Sequence, residues 1–229
     1  MSQNKKYIAL GLMSGTSLDG IDAAIINTDG YSIENFGPFE SEPYDARFKA
    51  RLDAELGKTQ CTEAPQKELT YLHAGFVRSL FLKQSCSSSE IDSIGFHGQT
   101  IYHNPNESFT LQIGDGALLA KLLGIPVVNN FRGADIAAGG QGAPLTPIYH
   151  KALTSKLSSP TVIVNIGGVA NLSFISDGCL LALDTGPGNA PLDDLMVKKL
   201  GVPFDEYGAV ARRGRINRKV LQSLLNHTY

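Results

Sequence analysis

The chain has 229 residues, of which 42% are hydrophobic and 18% are charged, so it can bury one large core or two modest ones. Its 20 basic and 22 acidic residues leave a net charge of −2 without a long basic run, which argues against a nucleic-acid-binding surface. Three cysteines at irregular spacing fit neither a disulfide framework nor a zinc motif and favour reduced thiols in the cytoplasm. The apolar stretch near the N-terminus is too short for a signal sequence or a membrane span.

The first part of the sequence opens with a predicted β-hairpin. Apolar runs at residues 7–13 and 21–27 flank a polar turn, which is the pattern of strand, turn and strand. The elements predicted after it are, in chain order, a third strand at 31–42, helices at 45–56 and 69–81, strands at 91–96 and 109–113, a helix at 117–123, a strand at 125–128, a loop at 129–144 and a helix at 146–157.

The hairpin pattern returns near residue 160, as expected for two related halves. The elements predicted in this second part are strands at 161–166, 170–175 and 180–183, a helix from Asn189 to Gly201 and a helix at 215–226. We therefore predict an α/β protein with two domains, 1–157 and 158–229. Because the second copy has far fewer residues than the first, we expect the second domain to be incomplete.

Two glycine-containing turns are candidates for phosphate binding. In the turn from Met13 to Gly20, backbone N–H groups in a concave nest suit an anion, and Thr16 and Ser17 add hydroxyl donors. Asp19 is a candidate ligand for a hydrated Mg²⁺. The pair Gly167-Gly168 stands at the same place in the second hairpin. The spacings of a Walker A loop and of a dinucleotide fingerprint are absent, and the alternative is a pair of plain polar turns.

Asp184 follows the predicted strand at 180–183 and precedes a predicted helix. A carboxylate at the end of a strand can serve as a general base, and a helix N-terminus nearby favours negative charge. The alternative is that Asp184 only caps a turn.

The segment from Phe131 to Pro144 is rich in small residues and contains two charged ones. The Arg132 guanidinium offers a planar fork for a carboxylate, and Asp135 can accept from sugar hydroxyls or fix Arg132. A local surface ion pair is the alternative. His97 stands at the end of a predicted strand, where a lone histidine is more often structural than catalytic, and the histidines lack metal-ligand spacing.

Taken together, five strings occur in the order typical of one family, and they span residues 7–194: GLMSGTSLDGID, GFHGQTIYHNP, FRGADIAAGGQGAPL, NIGGVANLSFI and DTGPGNAPLDD. With these strings the chain resembles the anhydro-N-acetylmuramic acid kinases of the actin/hexokinase/Hsp70 superfamily. The resemblance implies two actin-like (ribonuclease H-like) α/β domains around a cleft, with ATP and Mg²⁺ as cofactors, an amino sugar as substrate and a homodimer as assembly. It also implies a chain that continues beyond Tyr229 in other members.

The resemblance implies roles for particular residues. Asp184 matches the family's catalytic aspartate, and Asp19 would bind Mg²⁺ through water. The residues expected to bind the ATP phosphates are Gly15, Thr16, Ser17, Leu18, Asp19, Gly20, Ile21, Asp22, Gly167, Gly168 and Asn171. The residues expected to bind the sugar are His97, Gln99, Thr100, Arg132 and Asp135.

The reaction implied is hydrolytic opening of 1,6-anhydro-N-acetylmuramic acid with phosphorylation of O6, in cell-wall recycling in the cytoplasm. Two alternatives remain open from the sequence. The first is a truncated, inactive remnant that binds the sugar without ATP. The second is a glycoside-cleaving enzyme in which Asp184 activates water without ATP, which the paired phosphate turns disfavour.

Overall fold

The structure, a computed structural model, describes residues 5–15 and 17–226 of the chain. The chain divides into two compact units, 1–155 and 156–229. Both units combine strands with helices, so the protein belongs to the mixed α/β class.

The first unit is built on one mixed sheet. Its strands are β1 (Tyr7–Ser14), β2 (Gly20–Thr28), β3 (Ile33–Pro43), β4 (Ser93–Asn104), β5 (Phe109–Ile113) and β6 (Val127–Asn129). The strands β1, β2 and β3 form an antiparallel meander, whereas β4 runs parallel to β1 on its other side. The first half of β4 pairs in parallel with β6, and its second half pairs antiparallel with β5.

The α-helices in the described part of the first unit are α1 (Ala46–Asp53), α2 (Glu63–Gln84), α3 (Gly116–Leu123), α4 (Phe131–Ala137) and α5 (Thr146–Leu153). The start of α1 is capped by Asp45, whose carboxylate accepts from the Arg47 and Phe48 N–H groups. At the end of α3, Gly124 takes the left-handed conformation that is typical of a glycine after a helix, and the helix stops there as predicted. The predicted hairpin and the three helices predicted before residue 124 are thus confirmed.

Two apolar clusters hold the first unit together. The larger one packs the inward side chains of β1, β2 and β4 against α2 and α3, with Leu10, Val77 and Ile94 fully buried. The smaller one gathers Leu18 and residues of α1, α2, β4 and β5 around the fully buried Phe48. Alternating side chains of the strands supply one face of the sheet, as expected for strands covered by helices on that face.

The prediction of a loop at 129–144 was wrong for the first part of this segment, which forms α4. The Ala134 and Ala138 N–H groups donate to the carbonyls of Asn130 and Ala134, respectively, as in a helical turn. Position 133 in this helix is occupied by glycine, and the Cβ of any other residue would lie 2.3 Å from the Asn130 Oδ1. Contact with the Asn130 side chain therefore explains a glycine in this helix, although the low helix propensity of glycine favours the prediction of a loop.

Element ends also differ from prediction. The strand predicted at 91–96 continues as β4 to Asn104, because its second half finds a partner in β5. The strand predicted at 125–128 begins only at Val127, and α5 ends at Leu153 rather than at residue 157. Strand length is thus decided by the partner strand more than by the apolar run itself.

As far as residue 226, the second unit contains a three-stranded antiparallel sheet and two α-helices. These elements are β7 (Thr161–Ile166), β8 (Val169–Ser176), β9 (Cys179–Pro187), α6 (Ala190–Leu200) and α7 (Arg218–Leu225). Each unit therefore opens with three consecutive antiparallel strands, in agreement with the hairpin pattern that the sequence repeats. In the described part of the second unit, Met196 is the only hydrophobic side chain that is buried.

Among the described helices, none combines the length and the apolar character that a crossing of the bilayer requires.

Candidate functional site

The turn between β1 and β2 is held from several sides. Its closing hydrogen bond runs from the Leu18 N–H to the Gly15 carbonyl, at 3.1 Å. Leu18 has a left-handed backbone, with φ +55°, and buries its side chain in the smaller core cluster. We call this segment, from Gly15 to Asp19, the β1–β2 turn. The turn follows the end of β1, where Leu12 is opposite Phe96 and Ser14 is opposite Gln99 of β4. His97 lies between these two pairs, so it is at the same end of the sheet as the turn.

The residues predicted to bind phosphate contribute in different ways. The side chains of Leu18 and Ile21 are buried, so only their backbone is open to a ligand. Thr16 lies outside the described residues. The Asp22 Oδ1 accepts from the Ser41 hydroxyl at 2.5 Å. At Gly20 a Cβ would lie 2.1 Å from the Glu42 carbonyl oxygen, so the approach of β3 excludes any larger residue.

Asp19 is exposed and keeps an ionised carboxylate. A hydrogen bond from the Ser17 hydroxyl lowers its pKa, and Lys49, whose Nζ lies 3.4 Å from Oδ1, acts in the same direction. Within 5–15 and 17–226 no group of three or more histidine, cysteine, aspartate or glutamate residues could enclose a metal ion. A single carboxylate fits a hydrated Mg²⁺, which keeps most of its waters and also uses substrate phosphates.

A second group of predicted residues meets beside β4. The Arg132 Nε donates to the His97 Nε2 at 3.0 Å, and the Arg132 Nη1 donates to the Gly142 carbonyl at 2.7 Å. The His97 Nδ1 lies 2.8 Å from the Gly98 carbonyl, which can only accept, so Nδ1 carries the proton. Burial lowers the pKa of His97, and the charge of Arg132 lowers it further. His97 is therefore a neutral acceptor that orients the guanidinium.

Asp135 holds the loop that follows α4. Its Oδ2 accepts from the Gly142 N–H at 2.7 Å, and its backbone carbonyl accepts from the Gly140 N–H at 2.8 Å. Gly142 in turn receives Arg132 at its carbonyl, so Asp135 and Arg132 are connected through this loop residue. Of the two roles that the sequence left open for Asp135, the structure favours the one that fixes Arg132.

Gln99 and Thr100, both predicted to bind the sugar, are placed differently. The Gln99 side chain is fully buried; its Oε1 accepts from Ser14 at 2.5 Å and its Nε2 donates to the Thr100 carbonyl at 3.1 Å. The Thr100 side chain is half-buried, with its hydroxyl 3.4 Å from the Gln112 Nε2. Direct sugar contact by Gln99 stays a prediction that its burial does not support.

A pocket of about 270 Å³ opens beside His97. Three amide side chains that sequence reasoning did not single out lie on its wall: Gln112, Asn129 and Asn130. Such groups suit a ligand rich in hydroxyl and amide groups. The signal available in the sequence was the pair Asn129-Asn130 directly after a strand. The wall also needs Gly98, where φ is +70° and a Cβ would lie 2.3 Å from the Ile113 carbonyl oxygen.

In the second unit, the Gly167-Gly168 turn packs against the start of α6. The N–H groups of Gly188 and Asn189 donate to the carbonyls of Gly168 and Gly167, at 2.9 and 2.8 Å. These amides, which we expected to favour negative charge beside Asp184, are thus occupied by protein carbonyls. Asn189 stands at the N-cap of α6, but its side chain makes no capping hydrogen bond.

Asp184 lies within β9 rather than after the strand, because pairing with β8 continues to Pro187. Asp184 is exposed to solvent. Across the sheet Asp184 is opposite Asn171 of β8, and Asn171 is opposite Asn165 of β7. Directly opposite residues project from the same face, so one row presents two amides and one carboxylate. Asn165, the third member of this row, was not predicted from the sequence.

The predicted site residues thus form two groups, one in each unit. The group in the first unit consists of the β1–β2 turn, at the end of the central strand β1, together with His97, Arg132 and Asp135. The second unit brings together its glycine turn with Asn171 and Asp184. The chemistry available in the first group is anion and amide recognition, and in the second it is proton acceptance by a solvent-accessible carboxylate.

Comparison with known proteins agrees with these motifs. The family model described as anhydro-N-acetylmuramic acid kinase matches residues 6–229. Proteins named anhydro-N-acetylmuramic acid kinase from Paramagnetospirillum magneticum and Rhodospirillum rubrum are 50% and 46% identical to the chain, over 97% and 96% of it. The chain spans 63% and 60% of the length of these two relatives.

Among solved structures, the inorganic polyphosphate/ATP-glucomannokinase of an Arthrobacter strain aligns with 90% of this chain and 76% of its own, at 16% identity and a TM-score of 0.37. The family model covers residues 6–229, a range that includes all five motifs, and the curated relatives match nearly the whole chain, so the chain belongs to the anhydro-N-acetylmuramic acid kinase family.

Proposed function

We propose that this protein is an ATP-dependent kinase that opens 1,6-anhydro-N-acetylmuramic acid with water and phosphorylates the freed O6, giving N-acetylmuramic acid 6-phosphate. One observation carries the proposal: the family match runs over residues 6–229 and includes the motif around Asp184. Membership makes an inactive sugar-binding remnant the less favoured alternative. The strand order β3-β2-β1-β4 of the first sheet supports an actin-like fold as part of the proposal.

In the proposed reaction Asp184 accepts a proton from a water molecule. The water oxygen forms a bond to the anomeric carbon, and the bond between that carbon and O6 breaks. O6 then takes the γ-phosphoryl group, and ADP leaves. Coupling the two steps is favourable because phosphoryl transfer captures a poor alkoxide leaving group. Phosphoryl transfer itself needs mainly positioning and charge neutralisation, which suits the backbone turns of both units.

The first unit's residues have matching roles. The β1–β2 turn would hold the ATP phosphates through backbone N–H groups, with Asp19 supporting a hydrated Mg²⁺ that neutralises phosphate charge. The Arg132 guanidinium, oriented by His97, would bind the lactyl carboxylate of the sugar through the part of its donor fork that His97 and Gly142 do not use. The pocket beside His97 would take the sugar's hydroxyl and amide groups.

The setting and assembly are also part of the proposal. Three free cysteines, Cys61, Cys86 and Cys179, support a reducing cytoplasm. A homodimer and the absence of nucleic-acid and membrane partners stay predictions from the sequence.

The test is a coupled ADP-release assay with 1,6-anhydro-N-acetylmuramic acid, comparing the wild-type chain with Asp184→Asn. We expect the substitution to lower kcat by about 100-fold or more, because an amide cannot accept the proton. A matched control is Asp177→Asn, which removes one exposed carboxylate from the turn between β8 and β9 and should leave the rate unchanged. Sugar-independent ADP release, or full activity of Asp184→Asn, would refute the proposed reaction.

A further inference from the structure

Ser14, at the end of β1, sits in a buried chain of polar side chains. Its Oγ lies 2.7 Å from the Tyr44 hydroxyl and 2.5 Å from the Gln99 Oε1. Ser14 is 1% exposed and Gln99 is fully buried. Buried polar groups of this kind are costly unless each finds a partner, so two of them joined to the half-buried Tyr44 call for an explanation beyond packing.

The direction of each hydrogen bond in this chain can be deduced. The Thr100 carbonyl can only accept, so the amide nitrogen of Gln99 must face it, at 3.1 Å. The Gln99 oxygen therefore faces Ser14, and the single hydroxyl proton of Ser14 must be donated to it. Ser14 has no second proton, so Tyr44 must donate to Ser14. Burial raises the pKa of Tyr44 to about 12, which keeps that donor protonated.

Tyr44 makes a second contact with the same turn. Its backbone N–H donates to the Asp19 carbonyl at 3.0 Å. Ser14 directly precedes the β1–β2 turn and Asp19 is its last residue. One residue therefore holds both ends of the turn, with its side chain at the start and its backbone at the finish.

We propose that Tyr44 is a positioning residue that clamps the β1–β2 turn, acting through Ser14 and Gln99, and so holds the turn's backbone ready for the phosphates of ATP. This inference rests on the proposed function for the ligand, whereas the clamp itself is a property of the protein alone. A turn held in its binding conformation loses less entropy when the ligand binds, so the clamp strengthens nucleotide affinity.

The variant Tyr44→Phe isolates the hydroxyl. Its ring can keep the edge-to-face contact with Phe48, whose centroid is 4.9 Å away, and its backbone can keep the bond to Asp19. The matched control is Tyr102→Phe, which removes a tyrosine hydroxyl that contacts Glu107 at 3.2 Å in the β4–β5 hairpin. Both variants lose one oxygen atom, and only the first loses the clamp.

Two measurements on the full chain decide the inference. In amide hydrogen exchange without ligand, we expect the peptide that carries the Leu18 amide to exchange faster in Tyr44→Phe than in wild type and in Tyr102→Phe. In calorimetric titration, we expect ATP to bind about 5-fold to 10-fold more weakly to Tyr44→Phe, as for one lost hydrogen bond, with unchanged sugar affinity. Ser14→Ala should have an equal or larger effect, and adding Tyr44→Phe to it should change little.

The outcomes separate the clamp from the proposed function. Unchanged exchange in the turn overturns the clamp, whatever ATP does. Equal loss of ATP and sugar affinity, with a lower melting temperature, also overturns it, because Tyr44 would then support the whole unit. If the wild-type chain binds no ATP, the proposed nucleotide site fails, and the exchange measurement alone still decides whether Tyr44 holds the turn.

Discussion

Arg132 is positioned by a histidine that carries no charge. The His97 Nδ1–H donates to the Gly98 carbonyl, which leaves Nε2 as an acceptor for the Arg132 Nε–H. A protonated ring would put N–H against N–H and repel the guanidinium. Burial prevents this by lowering the pKa of His97. The hydrogen bond between Arg132 and His97 therefore forms only while the His97 ring is neutral.

We expect His97→Leu to weaken sugar binding by about tenfold or more, because the Arg132 Nε then loses its acceptor in a half-buried position. The measurement is calorimetric titration with the anhydro sugar. His103→Leu is the matched control, since His103 lies on the same strand and contacts Thr110 instead of Arg132. Because burial lowers the pKa of His97, wild-type affinity should fall only at a lower pH than an ordinary histidine would give. Equal affinities of wild type and His97→Leu would contradict this role.

At the scale of single residues, the sequence identified the charged and hydroxyl side chains of the site but not their hydrogen-bond partners. Arg132, Asp135 and His97 were all predicted, and they lie together. The link through the Gly142 backbone, and the hold of Tyr44 on Ser14, were not predicted. Both depend on carbonyl and hydroxyl positions set by long-range pairing, for which a single sequence carries no signal.

The helix α2 carries a buried histidine in the middle of its apolar face. His73 is fully buried, its Nδ1 donates to the Leu69 carbonyl at 2.8 Å, and its ring packs edge-on against Phe96 at 4.9 Å. In the described part of the chain its Nε2 has no hydrogen-bond partner. Burial lowers the pKa of His73 from 6.5 to about 4.

This helix therefore makes stability depend on pH. From pH 6.5 down to about 4 the unfolded chain binds a proton at His73 that the folded protein does not, so the free energy of unfolding falls as the pH falls. Between pH 7 and pH 5 we expect a loss of about 2 kcal/mol from this residue.

Urea unfolding of wild type and His73→Leu at both pH values measures the effect. The variant should lose less stability than wild type over this interval, because leucine does not titrate. Identical losses in the two proteins would show that His73 is not the source of the pH dependence.

Among the elements, α4 shows where periodicity failed. Its seven residues include Gly133 and two alanines, and small residues of this kind led to the prediction of a loop. The Phe131 ring lies against Gly95 of β4, 3.6 Å from where a Cβ would stand, and this contact anchors the first turn of the helix. A glycine on one strand and an aromatic residue 36 positions later meet only in the folded chain. Longer elements with full apolar faces, such as α2, were predicted correctly.

At the scale of the whole molecule, the buried core is distributed unequally. Every residue of the two core clusters lies between Leu10 and Ile125. In the described part of 156–229 the apolar side chains of β7 and β9 are largely exposed, including Val164 at 61% and Leu181 at 53%. Since burial of apolar surface is the main driving force of folding, we expect the first unit to carry most of the stability.

We therefore predict that a fragment of residues 1–155 folds alone. It should give one cooperative urea transition and keep its near-ultraviolet circular dichroism. A fragment of residues 1–108 is the control, since it lacks Ile113 and Leu119, which are buried in the two clusters. This shorter fragment should unfold without cooperativity. A non-cooperative transition for residues 1–155 would contradict the prediction.

The sequence by itself determined the family, the mixed α/β class, the two strand-turn-strand openings and the residue types of the site. These follow from local patterns, because apolar periodicity, glycine turns and short motifs are legible along the chain. The tertiary structure decided that Gln99 is buried rather than open to ligand, that Asp184 lies inside a strand, and that Tyr44 holds the β1–β2 turn. Each of these depends on a partner distant in sequence, and burial and hydrogen bonding between such partners arise only when the sheet assembles.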